Sequence, residues 1–137
     1  MALLEAREVS VRFGGHLAVN QVDLAVDAGR VTGLIGPNGA GKTTIFNALT
    51  GLQETSGGQV LIDGADISGL APHKRARRGM ARTFQRLELF SLLTVRENVL
   101  LGAEVRQRWA KDGADADQVV EGLLERIGLA DLADERV

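Results

Sequence analysis

Gly36-Pro37-Asn38-Gly39-Ala40-Gly41-Lys42-Thr43-Thr44 is the stretch on which the fold turns. Its first eight residues match G-x-x-x-x-G-K-[ST] at every fixed position. At average residue frequencies a chance match in a chain of this length arises about once in 200. Glycines here let successive backbone N–H groups turn inward around a phosphate, where a Cβ would collide. A helix that starts directly after them aims its free N–H groups and positive dipole end at the same anion. Lys42 adds a full positive charge, the Thr43 hydroxyl suits Mg²⁺, and Thr44 can donate to a further phosphate. A glycine-rich turn with a merely solvated lysine is the bland alternative. The flanks argue against it: the apolar run Val31 to Ile35 reads as a strand, and Lys42 to Leu49 reads as a helix closed by Thr50-Gly51.

Outward from the loop, the patterning is that of short strands and helices. Upstream, Leu3 to Phe13 alternates through Val9, Val11 and Phe13, and His16 to Val26 through Leu17, Val19, Val22 and Leu24. Gly14-Gly15 between them predicts a tight turn. Downstream, Gln59 to Ile62 reads as a strand ended by the hairpin-type turn Asp63-Gly64. Pro72 opens a short basic helix, His73 to Arg78, with Gly79 as its stop, and Met80 to Phe84 reads as a strand. Thr94 and Glu97 form a capping box for a helix from Val95 to Gly102. Ala110 to Asp117 reads as a solvated loop. Val119, Leu123, Leu124 and Ile127 then make a helical stripe with Gly128 as its stop.

Composition narrows the function classes. The 137 residues are 45% hydrophobic and 25% charged, ordinary for one soluble domain. No cysteine and only two histidines exclude disulfides and make thiolate or histidine-rich metal sites poor readings. No apolar run approaches the ~18 residues that span a bilayer. Glu5, Arg7 and Glu8 interrupt the place where a signal peptide would be apolar, so a cytoplasmic location is expected. Net charge is −2, divided as +4 over residues 1–111 and −6 over 112–137. The basic run Lys74, Arg75, Arg77, Arg78, Arg82 and Arg86 has no aromatic from Lys74 to Arg82 and only Phe84 beyond; it reads as a solvated helix face before it reads as a nucleic-acid patch. No asparagine is followed by lysine, so a guanine-reading Asn-Lys-x-Asp motif is absent. Val60-Leu61-Ile62-Asp63 has the outline of an apolar strand ending in a Mg²⁺-binding aspartate, but Gly64 follows where an ATPase would carry its glutamate base. The turn reading is preferred.

Taken together, the whole chain resembles the N-terminal half of an ABC-transporter ATP-binding subunit. Val11-Arg12-Phe13-Gly14-Gly15 with Ala18-Val19, the GPNGAGKTT loop, Gly57 to Ile67, and Arg82-Thr83-Phe84-Gln85 occur in the family's order. The resemblance implies an α/β fold: a partial P-loop NTPase core with an antiparallel β subdomain and the start of a helical subdomain. It implies ATP and Mg²⁺ as cofactors, held by Gly36, Pro37, Asn38, Gly39, Ala40, Gly41, Lys42, Thr43 and Thr44. Phe13 would stack on adenine with Val19 beside the ring, phenylalanine standing where most members have tyrosine. Gln85, in the Q-loop position, would sense metal and water with its neutral amide; Thr43 and Gln85 are the metal-side residues. Lys42 and Gln85 are the catalytic candidates.

Within the family, RTFQRLELFSLLTVRENVLLGA and IFNALTGL are most similar to the ATPase subunits of branched-chain amino acid importers. HKRARRG is also similar to lipopolysaccharide-export ATPases. Partners implied are transmembrane permease subunits and a second ATP-binding subunit, with the chain peripheral on the cytoplasmic membrane face and no nucleic acid. The expected division is 1–87 for the core portion through the Q-loop and 88–137 for the beginning of the helical subdomain. An LSGGQ-like signature, an apolar strand ending Asp-Glu and a switch histidine do not occur in the 137 residues. Without the Asp-Glu pair the chain alone is expected to hold nucleotide without splitting it. The strands that would flank Val31–Ile35 in a parallel sheet are not expected either. A non-catalytic nucleotide-binding or pairing module remains the alternative.

Overall fold

The computed structural model describes residues 2–84, 89–110 and 113–137. They fall into two compact units, Met1–Arg82 and Thr83–Val137.

The first unit is built on a long antiparallel hairpin. β1 (Ala2–Phe13) and β2 (His16–Asp27) pair through Phe13 and His16 across the two-residue turn Gly14-Gly15. Gly14 has φ +56°, which the turn needs and the absence of a Cβ permits. β3 (Gly57–Ile62) pairs on the other edge of β1, and β4 (Ala65–Asp66) pairs with β3 across Asp63-Gly64, giving the order β2-β1-β3-β4. Asp63 at φ +48° and Gly64 at φ +74° form the turn expected of that dipeptide. Asp63 therefore lies in turn chemistry.

Regular pairing breaks where β1 and β2 bulge. Glu8 and Gln21 have positive φ, +48° and +45°. Side chains take up their backbone N–H groups: Glu8 N–H donates to Asp23 Oδ1 at 2.8 Å and Gln21 N–H to Ser10 Oγ at 2.9 Å. The bulge at Glu8 also fixes the identity of residue 58. A Cβ on Gly58, itself at φ +79°, would lie 2.4 Å from the carbonyl oxygens of both Arg7 and Glu8.

One face of this sheet covers α1 (Lys42–Thr50). Ala6, Val9 and Val11 of β1, Val19 of β2, Val60 and Ile67 enclose Ile45, Ala48 and Leu49 from the helix. α1 stops at Gly51, left-handed at φ +78°, whose N–H returns to the Ala48 carbonyl. α2 (Pro72–Ala76) begins at the expected proline and is shorter than the sequence suggests, the chain turning through Arg77 to Gly79.

Two expected strands are not formed. Val31–Ile35 is irregular, with Val31 and Ile35 94% exposed or more. A strand exists only by pairing, and the four strands among the described residues pair with one another, leaving this segment without a ladder. Met80 to Phe84 is irregular for the same reason.

The second unit is helical. Thr94 and Glu97 cap α3 reciprocally: Thr94 N–H donates to Glu97 Oε2 at 2.8 Å and Glu97 N–H to Thr94 Oγ1 at 3.2 Å. α3 runs from Val95 to Ala110, past Gly102, because one glycine weakens a helix by only about 1 kcal/mol and strong helix formers follow. α4 (Ala116–Ile127) starts at Asp115, whose carboxylate accepts from the N–H groups of Asp117 and Gln118, and stops at Gly128 with φ +72°. Val120, Leu124 and Ala133 are its buried core, backed by Val95, Val99 and Ala103 of α3. Arg96 on α3 pairs with Glu121 on α4. No helix of the described residues is long and apolar enough to cross a membrane.

A candidate phosphate-binding loop

The loop from Gly36 to Thr44 joins the irregular segment to the N-terminus of α1. Gly39 and Gly41 are both left-handed, at φ +83° and +80°. Gly41 is doubly constrained. It is the N-cap of α1, and a Cβ there would lie 2.8 Å from the Ala18 carbonyl oxygen and 3.2 Å from Val19 Cγ2. The loop is therefore pressed against β2 at the one residue that admits it. Gly36 is near contact too, a Cβ there meeting that of Ala40 at 3.4 Å.

As the N-cap is a glycine, no side chain satisfies the first N–H groups of α1, and its first turn carries no acidic residue. Most helices cover these donors with Ser, Thr, Asp or Asn. A helix start without such a cap is the kind that suits an anion. Lys42 folds back over the loop, donating from Nζ to the carbonyls of Gly36 and Pro37 at 2.6 Å each. Those two bonds hold the ammonium beside the turn and are exchangeable for phosphate oxygens. The donor set fits a polyphosphate, and Thr43, the second residue of α1, is exposed beside it.

Beside the loop lies a cleft of about 180 Å³, lined by Val19, Val22, Leu34, Ile35, Lys42 and Ile45 among others. The structure thus brings Val19, Ala40, Gly41 and Lys42 together. Val19 is 6% exposed and packs in the main core as well as behind Gly41. Phe13, at the tip of the hairpin, is 48% exposed and is not among the residues lining this cleft. Gln85 lies outside the described residues.

Sequence reading missed the opposite end of α1. Arg75, placed there on a solvated face, is 2% exposed. Its guanidinium donates to four carbonyls: Nη1 to Ala48 at 2.7 Å and Leu49 at 2.6 Å, Nη2 to Ser68 at 2.7 Å, and Nε to Leu70 at 2.9 Å. Burial pushes its pKa down from the usual arginine value, offset by the Asp66 carboxylate. Arg82 also leaves the supposed solvated face, donating to Asn47 and Thr50 of α1. Lys74 stays exposed. Nothing in the run HKRARRG marks Arg75 apart from its neighbours, because the choice depends on where the C-terminus of α1 lies in space.

A glycine-lined anion cradle ahead of a helix, set against an antiparallel sheet, is the partial fold of a P-loop NTPase. The chain belongs to the ABC transporter family, whose model matches residues 19–137. It is 52% identical over 99 residues to the high-affinity branched-chain amino acid transport ATP-binding protein BraF of Pseudomonas aeruginosa, covering 72% of this chain and 39% of that protein. It is 48% identical over 99 residues to the protein LivG of Escherichia coli, named for the same transport, with the same coverage. The spermidine/putrescine import ATP-binding protein PotA of Chromobacterium violaceum is 42% identical over 134 residues, 98% of this chain and 36% of that protein. An ATP-binding cassette of an ABC transporter, solved in its ADP conformation, superposes with a TM-score of 0.83 at 31% identity, covering 99% of this chain and 57% of that one. The chain thus spans well under two thirds of each of these proteins.

Proposed function

We propose that this chain binds MgATP at Gly36–Thr44 and is the nucleotide-binding portion of an import ATPase. The observation that carries the reading is Gly41: left-handed, wedged against Ala18 and Val19, and heading a helix with no side-chain cap. Polyphosphate would take the N–H groups at the start of α1, and Lys42 would exchange the Gly36 and Pro37 carbonyls for its oxygens. Thr43 would contact Mg²⁺ and Thr44 a further phosphate. Phe13 offers a half-exposed ring at the hairpin tip for adenine, while Val19 supports the turn from behind. Gln85 is proposed as the metal and water sensor from its sequence position alone.

The transported solute in this reading is a branched-chain amino acid, because BraF and LivG are named for that transport. PotA, named for polyamine import, is also similar, so the solute is a narrower proposal than nucleotide binding. Permease subunits and a second ATP-binding subunit are the proposed partners, at the cytoplasmic face of the membrane. Hydrolysis is proposed for the assembled transporter. The 137 residues contain no apolar strand ending Asp-Glu to supply a base, and turnover by them alone is not expected.

Titration with a fluorescent ADP analogue, with and without Mg²⁺, tests the binding. Saturable binding abolished by Lys42→Ala is expected; binding indifferent to that change refutes the site. A coupled ATPase assay tests the second part, where robust Lys42-dependent turnover by the chain alone would sink the proposed lack of hydrolysis.

A further inference from the structure

Arg82 is the last residue of the first unit, and its side chain is fastened to the far end of the helix that starts at the phosphate loop. Its Nη1 donates to Asn47 Oδ1 at 2.6 Å and to Thr50 Oγ1 at 3.2 Å. Asn47 and Thr50 are three residues apart on one face of the final turns of α1. The Thr50 hydroxyl donates to the Phe46 carbonyl at 2.8 Å, which leaves its lone pairs facing the guanidinium. The Asn47 carbonyl takes the N–H groups of Leu52 at 2.9 Å and Gln53 at 3.1 Å, so the residue held by Arg82 also closes the helix.

α1 has no basic residue in its own last turn, so cations for its negative end come from elsewhere. Arg75 binds backbone carbonyls and is locked in the core. Arg82 differs in binding side chains, and the chain leaves the unit directly after it. An anion at Gly41–Thr44 and a cation at Asn47–Thr50 act on the same short rigid helix and the same dipole. Each favours the helix position that suits the other, and such linkage is reciprocal.

We infer that Arg82 is a positioning residue for nucleotide: by holding the C-terminal turn of α1 it sets the attitude of the phosphate-binding N-terminus. This rests on the nucleotide-binding reading above and deepens it. Asn47 is the residue through which the effect passes.

The test is a double-mutant cycle on nucleotide affinity, read by titration of the full chain with a fluorescent ADP analogue and Mg²⁺ well below the melting temperature. Arg82→Met keeps the aliphatic stem and removes the donors; it is expected to weaken binding about fivefold or more. Asn47→Ala is expected to do the same, and the double variant to be no weaker than about twice the worse single one. Arg82→Lys, which can still donate to Asn47, is expected to restore most of the loss. A role confined to stability would lower the melting temperature and leave these dissociation constants unchanged, which would overturn the inference. So would effects of the two single changes that multiply. Should Arg82→Met fail to fold, the same fivefold threshold is applied to Asn47→Ala alone. Wild-type chain that binds no nucleotide would instead refute the reading on which this one rests.

Discussion

Replacing Arg75 by methionine should detach the helical end of the phosphate site from its surroundings. Methionine keeps the volume of the stem but none of the four donors that reach Ala48, Leu49, Ser68 and Leu70. Four hydrogen bonds from a charged group would sum to roughly 6–12 kcal/mol at face value. That sum is too large, because the buried guanidinium has given up its hydration, which its lowered pKa reflects. A better measure is what the change leaves behind. The Ala48 carbonyl keeps the Gly51 N–H at 3.2 Å, whereas Leu49, Ser68 and Leu70 each lose the bond that Arg75 gave them. The Leu49 bond is buried and the Ser68 and Leu70 bonds part-buried, so at about 1 kcal/mol for each unpaired acceptor the loss is at most about 3 kcal/mol. That is a large share of the 5–15 kcal/mol that holds a typical domain folded.

Native-state hydrogen exchange at Val9, Val11 and Val60, the fully buried strand positions of this unit, isolates it from the helical unit. A loss of about 3 kcal/mol speeds exchange through global opening roughly 150-fold. Arg75→Lys retains the charge but not the planar fork and should lie between. Lys74→Met, exposed on the same helix, should change exchange less than about threefold, a surface effect within 0.5 kcal/mol. If Arg75→Met alters core exchange no more than Lys74→Met does, the guanidinium is not holding the end of α1 and the argument fails.

Other consequences can be measured as directly. Gly58→Ala should lower the unfolding free energy by about 3 kcal/mol or more, read as a sharply lower urea midpoint, since its Cβ would sit 2.4 Å from two strand carbonyls at φ +79°; Gly57→Ala, with only Ser10 Cβ at 3.9 Å, should be mild. Gly41→Ala should weaken fluorescent ADP binding tenfold or more, about 1.4 kcal/mol, by pushing the loop off Ala18; unchanged affinity would mean the wedge does not shape the cradle. Asp66 titrates below its ordinary value of 3.8, chiefly through the Ser68 hydroxyl and then the Ser68 N–H, with Gln59 and Arg75 helping. A depressed folded value means that its contribution is present above the unfolded pKa of about 3.9 and is lost as pH falls through the lower folded value. Carboxyl NMR should therefore show Asp66 shifted down, and Ser68→Ala should move it back toward 3.8; no movement would exclude the hydroxyl as cause.

What could be read from the sequence was whatever a few adjacent residues decide among themselves. Gly14-Gly15 and Asp63-Gly64 dictate turns because Gly14, Asp63 and Gly64 take positive φ, which glycine and aspartate tolerate. Thr94 and Glu97 cap a helix because three residues of spacing bring each side chain to the other's N–H. The glycine loop is legible for the same reason: Gly36, Gly39, Gly41 and Lys42 stand at fixed spacing within one short stretch. Val31–Ile35 failed as a strand on different grounds. Its apolar run is a statement about burial, and burial depends on strands elsewhere that must lie beside it. The bulges at Glu8 and Gln21 depend likewise on Asp23 and Ser10 across the hairpin.

Arg75 and Arg82 show the limit most sharply. A guanidinium at either position looks like any surface cation until the end of α1 is placed next to it, more than 25 residues away in sequence. The proposed phosphate loop could be found by pattern because its glycines, Gly36, Gly39 and Gly41, stand at fixed short spacing beside Lys42. The support for that cradle could not, because its residues meet only across the fold. A motif match therefore marks the candidate loop, while the proposed hold of Arg82 on Asn47 would add to its affinity from outside the motif. The Arg82–Asn47 cycle separates these two contributions, since it perturbs the site from its far end and leaves every residue of Gly36–Thr44 in place.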